Sequence, residues 1–334
     1  MATIKDIAAH AGVSSATVSR VINSSGYVGS ETRKKVEEAV KVLNYSPNKH
    51  AQMLRTGETR NFGIISTQFN DTAVARINSF ISSAYSAGYT TTLFITNGDR
   101  KRELEAFDML RAKELDGIFL IYRSNDWDVL ESYLEDGPIV TLHNVDTHPI
   151  PSVFIDHYEG TRLALEYAWE TGCRRILNLY GTASGLNTNR RRHAYTDFCR
   201  EKGLAPYPFE PFLHIVSGDD VDRVVKWIMD RPEKPDALIT HSDAIAALVV
   251  SRLKKKGFRI PEDISVIGFD NLFISDVMDV TSVDYGVEEQ GRNACRLLLK
   301  QLKKDTEDLV PLSFRLVRRG TTYNSSKIKS RSDQ

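Results

Sequence analysis

Thr3-Ile4-Lys5-Asp6-Ile7-Ala8-Ala9-His10-Ala11-Gly12-Val13-Ser14-Ser15-Ala16-Thr17-Val18-Ser19-Arg20-Val21-Ile22-Asn23 reads as two short helices around a tight turn. Thr3 is placed to cap the first helix, with Asp6 three residues later in the capping-box position. Ile4, Ile7, Ala8 and Ala11 recur at helical spacing and form an apolar stripe. Gly12 falls where the chain must leave that helix, a place that often needs positive φ. Ser14 or Ser15 can cap the second helix, in which Val18, Val21 and Ile22 point inward. Ser15, Ala16, Thr17, Ser19, Arg20 and Asn23 are left on the outward or leading face. A third helix is expected from Ser30 to Asn44, where Val36, Val40 and Leu43 close a three-helix core. Such a helix-turn-helix sets its second helix into the major groove of DNA.

Charge agrees locally. The 334-residue chain balances 44 basic against 44 acidic side chains. Residues 1–60 hold nine Lys or Arg and five acids, a surplus of four that the remainder offsets. A small basic module on a slightly acidic body suits a protein whose head alone meets phosphate. The length allows that head and a larger two-lobed body. No long apolar run could span a membrane, and the N-terminus lacks a signal-peptide core. The three cysteines, Cys173, Cys199 and Cys295, fit neither a disulfide framework nor a zinc spacing. The expectation is a cytoplasmic protein with no metal and no cofactor. The polar tail 324–334 is expected to fray.

From Asn61 onward, short apolar runs alternate with amphipathic stretches. Strands are expected at Phe62–Ser66, Thr91–Ile95, Gly117–Tyr122, Ile139–Leu142, Ser152–Ile155, Ile176–Leu179, Ala237–Thr240 and Ile264–Phe269. Helices are expected at Ala73–Ala87, Arg102–Ala112, Gly160–Glu170, Arg190–Lys202, Val221–Met229 and Ala244–Lys256. This alternation predicts an α/β body of doubly wound parallel sheets with helices on both faces. A pause near Asp156–Gly160 suggests two lobes, with a ligand site in the cleft outside the strands' carboxyl ends.

At Ala2 to Ala8, Val13-Ser14, Ala16 to Val21 and Asn23, the chain resembles the lactose/galactose repressor family. The resemblance continues through Thr32 to Val36 and Asn44-Tyr45-Ser46-Pro47-Asn48. In the body it is carried by Leu115 to Ile118, Ile155 to Gly160, Arg191 to Tyr195, His241 to Ala246, Ile260 to Asn271, Thr281 to Val283 and Val317 to Thr322. It implies a helix-turn-helix head over 1–46 and a hinge helix with linker over 47–60. A periplasmic-binding-protein-like core for effector binding and dimerisation would follow over 61–323. In that reading, Leu54 is an apolar wedge that enters the minor groove and kinks the duplex. Ala51 lets two hinge helices approach each other. A helix of under two turns is too short to persist alone, so it would order on DNA. Family members read bases with the first positions of the second helix, here Ser15 and Ala16. Both are small, so Arg20 is the stronger base-contact candidate. Thr17, Ser19 and Asn23 are assigned to phosphate.

The resemblance also implies an effector site. Arg191 matches an arginine that grips sugar hydroxyls or a carboxylate, and Asp270 an acid that accepts from ligand hydroxyls. Ser242 stands where relatives often carry Asn, His143 where several have an acid, and Tyr285 where Gln is usual. Gln68 to Val74 replaces a stretch usually bearing Pro and aromatic residues, and Asp279-Val280 stands where a Pro is usual. Arg, His and Asp together suit a neutral sugar, a sugar phosphate or a sugar acid. Some relatives bind a phosphorylated carrier protein instead; Glu288 and Glu289 stand here where a phosphate needs cations.

The function implied is a homodimeric transcriptional repressor of a carbohydrate-use operon. It would sit on a palindromic operator in double-stranded DNA and be released, or activated, by a small sugar-like effector. An enzyme is the first competitor, but no nucleophile elbow, P-loop, dinucleotide fingerprint or metal cluster is found. An exported transport-associated binding protein is the second, and the DNA head counts against it.

Overall fold

The computed structural model describes residues 2–22, 25–45, 57–145, 147–181 and 185–323. Asn23, Ala51, Leu54, most of the expected hinge and the tail 324–334 lie outside the described residues. The chain divides into two compact units, residues 1–59 and 60–334.

The first unit holds α1 (Ile4–Ala11), α2 (Ser15–Ile22) and α3 (Ser30–Val42). Thr3 and Asp6 form a reciprocal capping box, and Gly12 ends α1 at φ 65°. The Ser14 side chain accepts from the Thr17 backbone N–H at 3.2 Å, so Ser14 caps α2. The core is Ile7, Ala8, Val18, Val21, Val36 and Ala39, with Val40 and Leu43 packed against it. Each helix contributes one stripe, and none is long enough to stand alone.

The second unit contains two sheets. Lobe one has strand order β2-β1-β3-β4, with β1 at Asn61–Ser66, β2 at Thr90–Ile95, β3 at Gly117–Leu120 and β4 at Ile139–Thr141, all parallel. One face packs on α4 (Asp71–Ser86) and the other on α5 (Arg100–Arg111) and α6 (Trp127–Glu131). The strand expected at Ser152–Ile155 is reduced to a single bridge between Ser152 and Thr141. Pro151 has no N–H to donate, and after one rung the chain leaves for the second sheet.

Lobe two follows the order β5-β6-β7-β8-β9. The parallel strands are β5 (Ile176–Asn178), β6 (Ala237–Ile239), β7 (Ser265–Phe269) and β8 (Thr281–Asp284). On one face lie α7 (His157–Glu170) and α8 (Leu186–Lys202); on the other lie α9 (Gly218–Met229) and α10 (Asp243–Lys255). A short helix, α11 (Phe273–Val277), links β7 to β8. Strand β9 (Arg315–Val317) was not anticipated; it is antiparallel to β8 and only three residues long. The helix α12 (Val287–Gln301) follows β8 but packs in lobe one, its Ala294, Cys295, Leu298 and Leu299 sharing a core with Phe62, Phe80 and Phe119. The chain therefore passes between lobes three times: before α7, before α12 and before β9. The pause expected near Asp156–Gly160 is the first crossing, shifted earlier, because Asp156 already caps α7.

Gly291 sets the spacing of α4 and α12. A methyl group there would overlap the Arg76 carbonyl and the Ser79 hydroxyl. Only a residue without a side chain lets the two backbones meet this closely.

Candidate functional site

The second helix of the head carries the residues expected to meet DNA, apart from Asn23, which lies outside the described residues. Ser15, Ala16 and Arg20 are exposed, and Thr17 and Ser19 half-buried. Ser15 and Ala16 occupy the first turn of α2, where N–H groups and the helix dipole favour a phosphate. Lys34 and Lys35 on α3 are exposed as well.

In the body, a buried polar cluster gathers at the carboxyl ends of β7 and β8. Asp270 follows β7 directly, and Tyr285 follows β8. The Tyr285 hydroxyl donates to Asp270 Oδ1 at 2.9 Å. Arg76, on α4 of lobe one, donates to the same hydroxyl at 3.0 Å and to Gln290 Oε1 at 2.9 Å. Arg191, in the first turns of α8, donates through Nη2 to His157 Nδ1 at 2.9 Å, and its guanidinium lies 3.9 Å from the centre of the Phe269 ring. His157 stacks on Phe269 and tilts against Tyr285. The cluster thus joins residues of both lobes, in the place where doubly wound folds hold ligands.

Its electrostatics follow from burial. Loss of water pushes the Asp270 carboxyl up to about 8, helped by the nearby Asp243 carboxylate and opposed by Arg191 and Arg76. Burial likewise holds His157 neutral, far below its usual range, with Arg191 and Arg76 adding to the effect. A neutral His157 is what the geometry needs, since its Nδ1 lone pair accepts from Arg191. Asp270 Oδ2 is buried with no partner among the described residues. Asp270 also sits at φ 106°. A non-glycine residue held there stores strain, a feature that concentrates at binding sites.

Three of the five expected effector residues, Arg191, Asp270 and Tyr285, come together here. His143 follows β4 in lobe one, edge-on to Trp127 at 5.6 Å. Burial and the Arg123 charge push its pKa down to about 4, and its Nε2 has no partner among the described residues. Ser242 caps α10, its hydroxyl accepting from the Ile245 N–H.

Two surface cavities flank this region. One of about 570 Å³ reaches Asp270 and Tyr285 from the side, between Glu288, Glu289 and the 310–313 segment. A larger groove of about 670 Å³ runs between α4 and α12. Its Arg292 and Arg296 are already paired with Glu288, Glu289 and Glu307, so it offers little unspent charge.

Comparison with known proteins identifies the assembly. Residues 3–48 match the bacterial regulatory proteins of the lacI family, and residues 165–322 match the periplasmic binding protein-like domain. The HTH-type transcriptional repressor PurR of Vibrio atlanticus is 33% identical over 93% of this chain and 95% of its own. The chain belongs to the lacI family. The ribose operon repressor of Halalkalibacterium halodurans is 30% identical over 96% of this chain and 97% of its own. The lac repressor dimer bound to operator and the anti-inducer ONPF superposes with a TM-score of 0.80 at 25% identity, covering 97% of this chain and 99% of that one. This lacI-family chain is a DNA-binding transcriptional regulator with a small-molecule effector. Among its described residues no helix is long and apolar enough to cross a membrane.

Arg76, His157 and Gln290 escaped the sequence reading. Arg76 carried a signal: it lies on the stripe of Ala73, Ile77, Phe80 and Ala84, where a charge is out of place on an apolar face. Gln290 interrupts the stripe of Val287, Ala294 and Leu298 on α12 in the same way. His157 gave no such signal, because the expected start of its helix was placed three residues too late.

Proposed function

We propose that this lacI-family regulator is a cytoplasmic homodimeric repressor of a carbohydrate-use operon, with its effector site in the cleft around Arg191, Asp270 and Tyr285. The observation that carries the reading is the polar cluster itself. It draws side chains from both lobes and leaves a carboxylate oxygen without a partner in the protein. His143 and Ser242 are retained in this proposal as residues that a bound ligand could reach. The ribose operon and anti-inducer named for the relatives support a sugar-like ligand.

Dimerisation is supported by apolar side chains left in water. Ile81 and Tyr85 sit one turn apart on α4, and Leu93 is exposed on the edge strand β2; on lobe two, Phe273 and Val277 are exposed one turn apart on α11. Clustered exposure of this kind marks an association surface. Two copies present two heads, matching a palindromic operator. In this proposal the segment 47–60 couples core to head: it orders on DNA, Leu54 enters the minor groove and Ala51 permits two hinge helices to meet. A ligand that binds the two lobe arrangements unequally then shifts operator affinity, in either direction.

Within the head, Arg20 reads a base, Ser15 and Ala16 lie close to base edges, and Thr17, Ser19 and Asn23 hold phosphate. Arg20→Ala lowers affinity for a selected operator by about 10- to 100-fold, the worth of one bidentate contact of 1–3 kcal/mol. Affinity for random duplex falls much less. Fluorescence anisotropy on both duplexes at one salt concentration checks this, and equal losses on the two would remove Arg20 from base recognition.

A further inference from the structure

Both arginines of the cluster are deeply buried, Arg76 at 7% exposure and Arg191 at 8%. Their hydrogen-bond acceptors are neutral: Gln290 Oε1 and the Tyr285 hydroxyl for Arg76, and His157 Nδ1 for Arg191. Neither guanidinium takes part in an ion pair among the described residues. The acid the cluster shares is Asp270, whose Oδ1 is spent on Tyr285 and which burial favours in its uncharged form. Asp243, the next buried carboxylate, accepts from the Leu272 N–H and the Ser282 hydroxyl. The neighbouring histidines His157 and His241 are held neutral by burial, so they add no charge of either sign.

The cluster therefore carries more positive charge than it neutralises. Burying an ion without a counter-ion is costly, and proteins retain such groups where something else supplies the opposite charge. Each guanidinium has five N–H donors in a planar fork suited to carboxylate or phosphate oxygens. Each spends only two of its nitrogens, Nε and Nη2, on the acceptors above.

We propose that the effector is an anion, a polyol bearing a carboxylate or a phosphate, held as the shared counter-ion of Arg76 from lobe one and Arg191 from lobe two. The inference rests on the cleft being the effector site and adds the ligand's charge and the role of Arg76. An anion that engages both guanidinia is held by side chains of both lobes at once. The ligand thereby stabilises one lobe arrangement over the other, the unequal binding that a switch requires. Asp270 Oδ2, buried and without a partner among the described residues, is left to hydrogen-bond that ligand's hydroxyl groups.

Isothermal titration and thermal shift on the full-length protein test this with matched probes. These are glucose, glucose 6-phosphate and gluconate; ribose and ribose 5-phosphate; and inorganic phosphate. At least one phosphorylated or acidic sugar binds about tenfold or more tightly than its neutral counterpart, the size of one charge-assisted hydrogen bond. Gluconate and glucose 6-phosphate separate carboxylate from phosphate. Inorganic phosphate matching the sugar phosphate shows an adventitious ion only and overturns the proposal. Arg76→Met abolishes the preference for the charged member, whereas Arg76→Lys keeps most of it; Arg76→Gln replaces Arg76→Met if the latter does not fold. A purely structural Arg76 would change the midpoint of unfolding without changing that preference. Neutral sugars binding as tightly as their charged partners overturn the anionic effector and leave the cleft standing. So does silence from every charged probe at about 10 mM, a concentration at which millimolar ligands still register. Tight binding of a charged probe that survives Arg191→Met undiminished overturns the cleft reading itself.

Discussion

Gly291→Ala lowers the stability of the core by about 2–3 kcal/mol, the cost of overpacking a close contact. The added methyl overlaps a backbone carbonyl, that of Arg76, and not only a side chain able to turn aside. The helices α4 and α12 must separate along the length where Ala73, Ile77 and Phe80 face Ala294 and Leu298. For a core of this size that loss lowers the midpoint of thermal unfolding by roughly 4–6 °C. Ligand binding weakens as well, since Arg76 is displaced from Tyr285 and Gln290. Calorimetry and titration on the same sample check both, and an unchanged midpoint would mean the two helices have room that the structure denies.

Asp270→Asn removes a titration that burial makes expensive. The Asp270 carboxyl is raised to about 8 in the folded protein, chiefly by desolvation. A raised acid contributes stability that is fully present below its unfolded pKa of about 4 and is lost as pH rises through the folded value. Asparagine cannot ionise, and its Oδ1 still accepts from Tyr285. The variant should therefore gain on the wild type between about pH 4 and pH 8, by up to roughly 5 kcal/mol. The comparison of the two chains matters more than either curve. His143 and His241, held down to about 4, work in the opposite direction over about pH 4 to 6.5 but cancel in the difference. Denaturant titrations of both proteins at pH 5 and pH 8 measure the gap, and a gap independent of pH would show that Asp270 ionises as an ordinary carboxyl. The same substitution leaves a cleft that cannot carry a negative charge at that position.

The head was legible residue by residue, because local chemistry fixes it: a capping box at Thr3 and Asp6, a left-handed Gly12 and one apolar stripe per helix. The alternation of the body was legible for the same reason, since buried parallel strands read as short apolar runs. The failures lie where tertiary context decides. Strand β9 is only three residues long and exists because it pairs with β8. The Ser152 strand is cut short by a crossing that local pattern does not encode. Arg191, Asp270 and Tyr285 were singled out through the family resemblance, not through their own surroundings. Arg76 is more than 200 residues from Gln290 and Tyr285 in sequence. Nothing near it in the chain says that α12 will return to lobe one and bring those partners to it.

The most direct test of coupling between cleft and operator is equilibrium binding of the full-length chain to a palindromic duplex selected from a random library. It is followed by fluorescence anisotropy while a cleft ligand from the charged sugar panel is titrated in. The expected result is a saturable change in operator affinity of about 5- to 150-fold, the usual range of allosteric coupling, absent in Arg191→Ala. An operator affinity that stays constant while the same ligand saturates the wild-type core would contradict the account.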